Sequence, residues 1–448
     1  MTFRTVPRYD PDRLAAADGR AVVVGGSMAG LLAARVLADA FREVTVLERD
    51  PLESDSEIRR GVPQAGHVHV LLEAGRATIE RLFPGYGAEL SAAGGLELDA
   101  ATELRHYQRG GFLTDGPSRL PMYSASRPLF ERLIRERLAD RDGVTIRPGR
   151  RVVDYRTDDR TAVDGVVVRD RSGGESELAA DLVVDATGRA SRTPDWLERH
   201  GYPSPTTDAV TVDLVYGTAV VERPSDVSRG YLVAPSPAVP RGGTAVPVEG
   251  DRWIVTLFGL HGERPPPTAR GFREFARGLP TPELGELLEA HRWDGDDLRH
   301  YPFPASRWRR YEALPRFPDG LVVTGDAIAS FNPIYGQGMS IAALEAMQLH
   351  HALAAGDRRT LAARFFDRAA AVVEPAWRLS VCADFQFPRT TGPKPRGTAL
   401  VNRYVSRLLR TAQTDGRVSE RFSRVLRLER PPRTLFAPEI VWRVLRPS

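Results

Sequence analysis

The chain has 448 residues, 42% hydrophobic and 27% charged, with a formal net charge of +4, the composition of a globular protein long enough for two interleaved domains. Its one cysteine, Cys382, excludes a disulfide framework and a cysteine-rich metal site and fits a reducing, cytoplasmic setting. The N-terminus lacks the apolar run of a signal peptide, and no window approaches the roughly eighteen apolar residues that span a membrane, which leaves peripheral membrane contact open.

In chain order, Val22–Val24 reads as a buried strand, Gly25 and Gly26 as a tight turn, Met28 to about Phe41 as a helix, and Val44–Leu47 as a second strand. Gly30 lets the helix pack close to the sheet. Unsatisfied N–H groups around Ser27, Met28 and Ala29, with the helix dipole, suit a dinucleotide pyrophosphate. Ser27 replaces the second glycine of GxGxxG but adds only a small hydroxyl. Glu48 closes the second strand, beside Arg49, about twenty residues beyond the turn; there a carboxylate can accept hydrogen bonds from both ribose hydroxyls and would repel a 2′-phosphate. The nucleotide is then FAD or NAD rather than NADP.

Residues Ile58–Gly75 form a glycine and proline loop running into a helix, on which His67 and His69 would face apart and make no i, i+4 metal pair; each also reads as a packed or capping residue. No metal is expected. Ser124–Asp140 reads as an amphipathic helix, with Arg127 at its start, Pro128 in its first turn, and Leu129, Leu133, Ile134 and Leu138 on its apolar face. Short strands follow at Val144–Ile146, Arg151–Tyr155 and Ala162–Arg169, with Asp164–Gly165 read as a hairpin turn. In Asp181–Leu197 a buried strand ends at Ala186, Thr187 and Gly188. From about His200 to Tyr311, strand-like runs alternate with proline-rich turns, as in a mostly antiparallel substrate domain. Within Gly320–Gly356 a strand runs into Gly325 and Asp326, a loop follows through Pro333 to Gly338, and a long helix starts near Met339. From Arg389 onward fourteen Lys and Arg face four Asp and Glu. That region is a solvated helical face, or a docking surface for an anionic membrane or an acidic carrier protein. It carries no nucleic-acid-binding motif, so nucleic acid is not an expected partner.

The segments GGSMAG and VVTGDAIASFNPIYGQGMS together resemble the pyrophosphate loop and second FAD motif of FAD-dependent monooxygenases of the para-hydroxybenzoate hydroxylase fold. That group also holds squalene epoxidases, geranylgeranyl reductases and flavin halogenases, and the likeness covers most of the chain. RRGVPQAGHVHVLLEAG, DATGRASRTPDWL and DFQFPRTTGPKP look most like the flavin epoxidases of polyether polyketide pathways. The resemblance implies an α/β fold: a Rossmann-like FAD-binding domain (18–60, 110–198 and 315–356) interleaved with a mainly antiparallel β-sheet substrate domain (61–109 and 199–314), then a C-terminal helical region (357–448).

It also implies roles. Asp326 would bind the ribityl chain, and Arg127 the phosphates or ribose. The backbone at Val152 and Val153 would pair with adenine, and Gln64 and His67 would lie near the isoalloxazine. Gly336, Gly338 and Met339 would bring backbone amides and a helix N-terminus to the flavin N1 and O2 edge. The expected activity is monooxygenation through a C4a-hydroperoxyflavin, epoxidising or hydroxylating an apolar alkene or aromatic polyketide or terpenoid, free or carrier-bound, with O2 as co-substrate. The alternative is a flavin reductase that saturates isoprenoid double bonds. Such chemistry needs no side-chain acid or base, so Gln64, His67, Pro333 and Tyr335 are candidates only as neighbours of the reacting centre. Tyr216, Trp253, Phe258, Phe303 and Phe331 are the substrate-facing candidates, with plain core packing as the other reading.

Two departures bear on the relatives. Aromatic hydroxylases of this group have an Asp-Gly pair serving FAD and NADPH where this chain has Thr187 and Gly188, the acid being displaced to Asp185. Electrons would come from NAD(P)H directly or through a separate flavin reductase, the latter favoured by that change. The halogenase motif WxWxIP is missing, and the sole lysine, Lys394, lies far from the halogenase position.

Overall fold

A computed structural model describes residues 1–14, 17–52, 58–158 and 162–446. The parts of the expected domains at 53–57, 159–161 and 447–448 lie outside the described residues. A five-stranded parallel sheet is ordered Leu321–Val323, Leu182–Asp185, Ala17–Val24, Phe41–Leu47, Val144–Arg147. Its middle is apolar on both faces because both are covered: Val23, Val46, Val183, Val184 and Val322 are inaccessible to solvent.

The first helix, Met28–Leu37, lies between this sheet and the long helix Gly338–Leu353, and both are buried almost all round. The first helix ends earlier than expected, at Leu37, and the second strand starts at Phe41. Phe41 is needed there to pair with Ala17, and Asp39 in the intervening turn is held by Arg35 and Arg141 at 2.8 and 2.9 Å.

An eight-stranded sheet runs Ala329–Ser330, Arg299–Arg309, Thr207–Glu222, Arg252–Leu260, Arg241–Val248, Gly230–Val233, Leu104–Gln108, Gly111–Phe112. It is antiparallel apart from the pairing of Gly230–Val233 with Leu104–Gln108. The hairpin from Leu104 to Phe112 crosses residue 110, so the domain boundary drawn there cuts a sheet and belongs after it. Two three-stranded sheets complete the sheets among the described residues: Glu175–Ala179, Ala162–Arg169, Arg151–Asp158, and Val70–Leu71, Pro121–Ser124, Leu96–Asp99.

Asp164–Gly165 is not a turn. It lies inside the strand Ala162–Arg169 at a register shift, where a Cβ on Gly165 would stand 2.3 Å from the Leu178 carbonyl oxygen. The link between this strand and Arg151–Asp158 falls at 159–161, outside the described residues. Beyond the long helix, Leu361–Asp384, Thr398–Thr411, Gly416–Leu426 and Pro438–Leu445 form the C-terminal helical region, with its own small core of Leu408, Val418, Val425, Leu435, Ile440 and Val444. None of the described helices is long and apolar enough to cross a membrane.

Candidate active site

One cavity of about 1550 Å³ runs from the carboxyl ends of the parallel sheet, across the inner face of the eight-stranded sheet, to the C-terminal helices. Single-ligand pockets span about 300–1,000 Å³, so this one has room for a dinucleotide and a second molecule.

Its end at the parallel sheet holds Gly25, Ser27, Met28, Ala29, Glu48, Arg49, Arg127, Val152, Val153, Thr187 and Gly188. Gly25 has φ +106°, and a Cβ there would meet the Ala186 carbonyl oxygen at 2.6 Å. A Cβ on Gly30 would lie 1.8 Å from the Gly25 oxygen, so the helix can start against the turn only with glycine at both places. Ser27 occupies the N-cap position without capping; its hydroxyl donates instead to Glu131 at 2.5 Å.

Glu131 is the centre of this end and carried no signal in the sequence beyond its place one turn after Arg127. Buried at 2% exposure, it accepts from Met28 N–H at 3.2 Å and from Arg127 at 2.9 Å, and it pairs with Arg59. Burial pushes its carboxyl up, but Arg127, Arg59 and the Ser27 hydroxyl outweigh burial and pull it down to about 2. Arg59 also reaches Glu48 at 2.8 Å, and Glu48 further accepts from Gly26 N–H and Asp50 N–H, both at 2.9 Å. A carboxylate offers about four lone-pair positions, so Glu48 has room for one more donor while Arg59 stays, and for two only once Arg59 releases it.

His69 steadies Arg127. Its Nε2 lies 3.2 Å from the Arg127 guanidinium, which can only donate, and its Nδ1 lies 3.0 Å from the His67 carbonyl oxygen, which can only accept. The ring is therefore neutral with its proton on Nδ1, in keeping with a pKa lowered to about 3 by burial and then by Arg127. His67 and His69 stand in an extended stretch between the short 3-10 turn Pro63–Gly66 and the strand Val70–Leu71, not on a helix.

At the middle of the cavity lie Gln64, His67, Tyr216, Phe258, Phe303 and Phe331. His67 Nδ1 is 2.7 Å from Thr218 Oγ1, which is 2.6 Å from Thr256 Oγ1, and Thr256 accepts from Val68 N–H at 3.2 Å. Burial, then Arg299 and His300, lowers His67 to about 3, so it meets the cavity as a neutral ring, edge-on to Tyr216. Trp253, expected to face substrate, does not line the cavity. Side chains alternate along Arg252–Leu260, and Trp253 shares a face with Val255 and Leu257, packed under the helices Ala269–Arg277 and Glu283–Ala290, while Thr256 and Phe258 face the cavity. Its indole N–H donates to the Arg229 carbonyl at 3.0 Å.

The second motif closes the floor with Asp326, Pro333, Tyr335, Gly336, Gly338 and Met339. Asp326 lies deep in the protein yet faces the cavity, accepting no hydrogen bond from protein among the described residues. Burial raises its carboxyl, while Arg127, Arg189 and Arg309 lower it by less. Gly336 has φ +65°, and a Cβ on Gly338, the first residue of the long helix, would meet nothing within 4 Å. Asn332 and Tyr335 both donate to Asp384 Oδ1, at 2.8 and 2.9 Å, from the end of the helix Leu361–Asp384. The other Asp384 oxygen is buried without a partner among the described residues, and burial raises this carboxyl to about 7 against the lowering by Asn332 and Tyr335. Asp185, the displaced acid, is fully buried and turned from the cavity, accepting from Thr187 N–H, Thr187 Oγ1, Ser191 and Thr193 at 2.5–2.9 Å.

These residues fit a flavin dinucleotide: an unpartnered carboxylate amid three arginines, open backbone at Gly338, a glycine turn at a helix start and a terminal-strand carboxylate all line one trough. The comparisons with known proteins agree. Residues 18–371 match the FAD binding domain family, so the chain belongs to that family, with the fold of the para-hydroxybenzoate-hydroxylase-like proteins. It is 35% identical over 421 residues to Protein Rv3254 of Mycobacterium tuberculosis, covering 90% of this chain and 88% of that one. Among solved structures, p-nitrophenol 4-monooxygenase PnpA of Pseudomonas putida superposes with a TM-score of 0.65 at 21% identity, covering 93% and 99% of the two chains. The flavin-dependent brominase Bmp2 gives 0.65 at 18% identity, over 92% and 94%.

Proposed function

We propose that this protein is an FAD-dependent monooxygenase that epoxidises or hydroxylates an apolar alkene or aromatic compound of the polyketide or terpenoid kind. The observation that carries the reading is the continuity of the nucleotide trough with an aromatic-lined space on the eight-stranded sheet. FAD, reduced by NAD(P)H directly or through a separate reductase, would supply the activation of O2. Gly25, Ser27, Met28 and Ala29 would hold its pyrophosphate, Glu48 and Arg49 its ribose, Val152 and Val153 its adenine, and Asp326 its ribityl hydroxyls. The backbone at Gly336, Gly338 and Met339, at a helix N-terminus, would stabilise negative charge beside it.

The rest of the chain's work is to exclude water and orient. Phe258, Phe303 and Phe331 present apolar surface, and the Arg189 guanidinium lies 4.5 Å from the Phe303 ring centre, donating to Ser330 and to the Ala305 carbonyl. His67, held through Nδ1, offers Nε2 as an uncharged hydrogen-bonding group, which positions a polar substituent without drawing water into the space.

Support from relatives is limited to their kind: PnpA is a monooxygenase, and Bmp2 a brominase. Bromination is not proposed, because Lys394 stands over the Phe385 ring at 5.4 Å and does not line the cavity. The test supplies the FAD-loaded, reduced protein with ¹⁸O2 and a panel of apolar polyenes and phenols. One labelled oxygen in the product supports the proposal. A saturated product formed without O2 would replace it with the reductase reading.

A further inference from the structure

Four large apolar side chains are strongly exposed among the described residues, and all lie in the C-terminal region: Leu400 at 75%, Phe436 at 46%, Trp442 at 62% and Leu445 at 51%. They form one strip. Leu400, Tyr404 and Arg407 follow each other at four- and three-residue spacing on the helix Thr398–Thr411. Phe436 stacks on Tyr404 with ring centres 4.7 Å apart, and Arg407 donates to the Val444 and Leu445 carbonyls at 2.6 and 3.0 Å, joining the last helix to the same edge. On that helix Trp442 and Leu445 point outward while Ile440 and Val444 point into the local core. The exposed strip is thus the outer side of a folded layer and not a frayed end.

The charges around it are sorted. All four carboxylates after Arg389 are already paired: Asp415 with Arg443 at 2.7 Å, Glu420 with Arg424 at 2.7 Å, Glu429 with Arg424 at 2.6 Å, and Glu439 with Arg421 at 3.4 Å. Arg396, Arg403, Arg433 and Arg446 are exposed and have no carboxylate partner among the described residues. Arg403 is one turn from Leu400, Arg433 precedes Phe436, and the Arg446 guanidinium lies 5.2 Å from the Trp442 ring centre. Arg433 and Phe436 also line the cavity, as do Val401 and Val405, which puts the cavity's outer rim at the strip.

We propose that this strip docks on an anionic phospholipid surface, seating Leu400, Phe436, Trp442 and Leu445 at the headgroup boundary with the arginines on lipid phosphates, so that the cavity mouth opens toward the acyl region. Apolar residues combined with unpaired arginines match the two requirements of interfacial binding, and tryptophan suits that depth. A soluble acidic partner would match the charge but leave the exposed apolar strip without a role. The proposal deepens the functional reading, since a lipophilic substrate could then pass from membrane to cavity without crossing water, but the docking itself does not depend on turnover.

The test is flotation of the full-length, flavin-loaded protein with phosphatidylcholine vesicles, with and without phosphatidylglycerol. We expect binding to the anionic vesicles that falls with added salt. An Arg near such a surface contributes about fivefold in affinity, so R403E with R446E should weaken binding by at least about 25-fold. W442E with L445E should abolish flotation while leaving oxygen uptake on a water-soluble substrate unchanged. Three results would overturn the proposal: no vesicle binding, binding indifferent to both double variants, or a dimer by light scattering that W442E with L445E dissociates in the absence of vesicle binding. Vesicle binding without any oxygenation would leave the docking standing and remove the monooxygenase reading instead.

Discussion

Replacing Glu131 by Gln tests whether the cavity end around Ser27 and Arg127 is held by a buried charge network. The amide keeps the side chain's length and an oxygen for Ser27 and Met28 N–H, but it withdraws the negative charge from Arg59 and Arg127. A carboxyl lowered from 4.5 to about 2 in the folded state favours folding by about 3 kcal/mol at neutral pH. That agrees with the roughly 3–5 kcal/mol expected when one member of a buried ion pair is removed. For a chain of 448 residues the unfolding entropy is about 0.9 kcal/mol/K, so E131Q should melt about 3–4 °C lower.

Because the folded value lies below the unfolded one, the contribution is complete above about pH 4.5 and is lost as pH falls toward about 2. The stability difference between wild type and E131Q, read from urea curves, should therefore shrink by about 1.4 kcal/mol between pH 7 and about pH 3.5, while the other carboxylates cancel. A difference under about 1 kcal/mol at pH 7, or one that does not change with pH, would refute the network as a source of stability.

Asp326→Ala should weaken FAD retention greatly, read as the flavin-to-protein absorbance ratio after gel filtration; unchanged flavin content would remove Asp326 from the flavin site. Gly25→Ala should cost about 1–3 kcal/mol in stability from its φ of +106° alone, with a larger loss of flavin because the Ala186 carbonyl cannot yield. Thermal melts and flavin content measure both. Asp384→Asn tests a carboxyl raised from 3.8 to about 7. Its protonated form is fully favourable below about pH 4, and stability is lost as pH rises through about 7, in all about 4 kcal/mol. The variant should therefore gain on wild type between pH 5 and pH 8, and parallel stability curves over that range would show that Asp384 does not titrate there.

Most of the cavity lining at the end of the parallel sheet was legible in the chain because its signals are local. A strand, a glycine turn and a helix start depend on neighbours within a few residues, so Gly25, Ser27, Glu48, Asp326 and Gly338 could be placed before any contact was known. Local reading misplaced Trp253 because strand residues alternate between faces, and which face meets the cavity is set by the helices that cover the other. It mistook Asp164–Gly165 for a turn because a bulge and a turn use the same residue pair.

The charged framework was decided by tertiary structure alone. Arg59 and Glu131 are 72 residues apart in sequence, and Asn332 and Asp384 are 52 apart, with nothing in either segment to announce the other. The same holds for the rim of the cavity, where Phe436 meets Tyr404 across two elements. The sequence by itself determined the backbone that can approach a phosphate, since glycine's freedom is a property of the residue. Tertiary structure decided which carboxylates are charged, which aromatic rings face the cavity and where that cavity opens, because burial and charge pairing belong to neighbours brought together only by the fold.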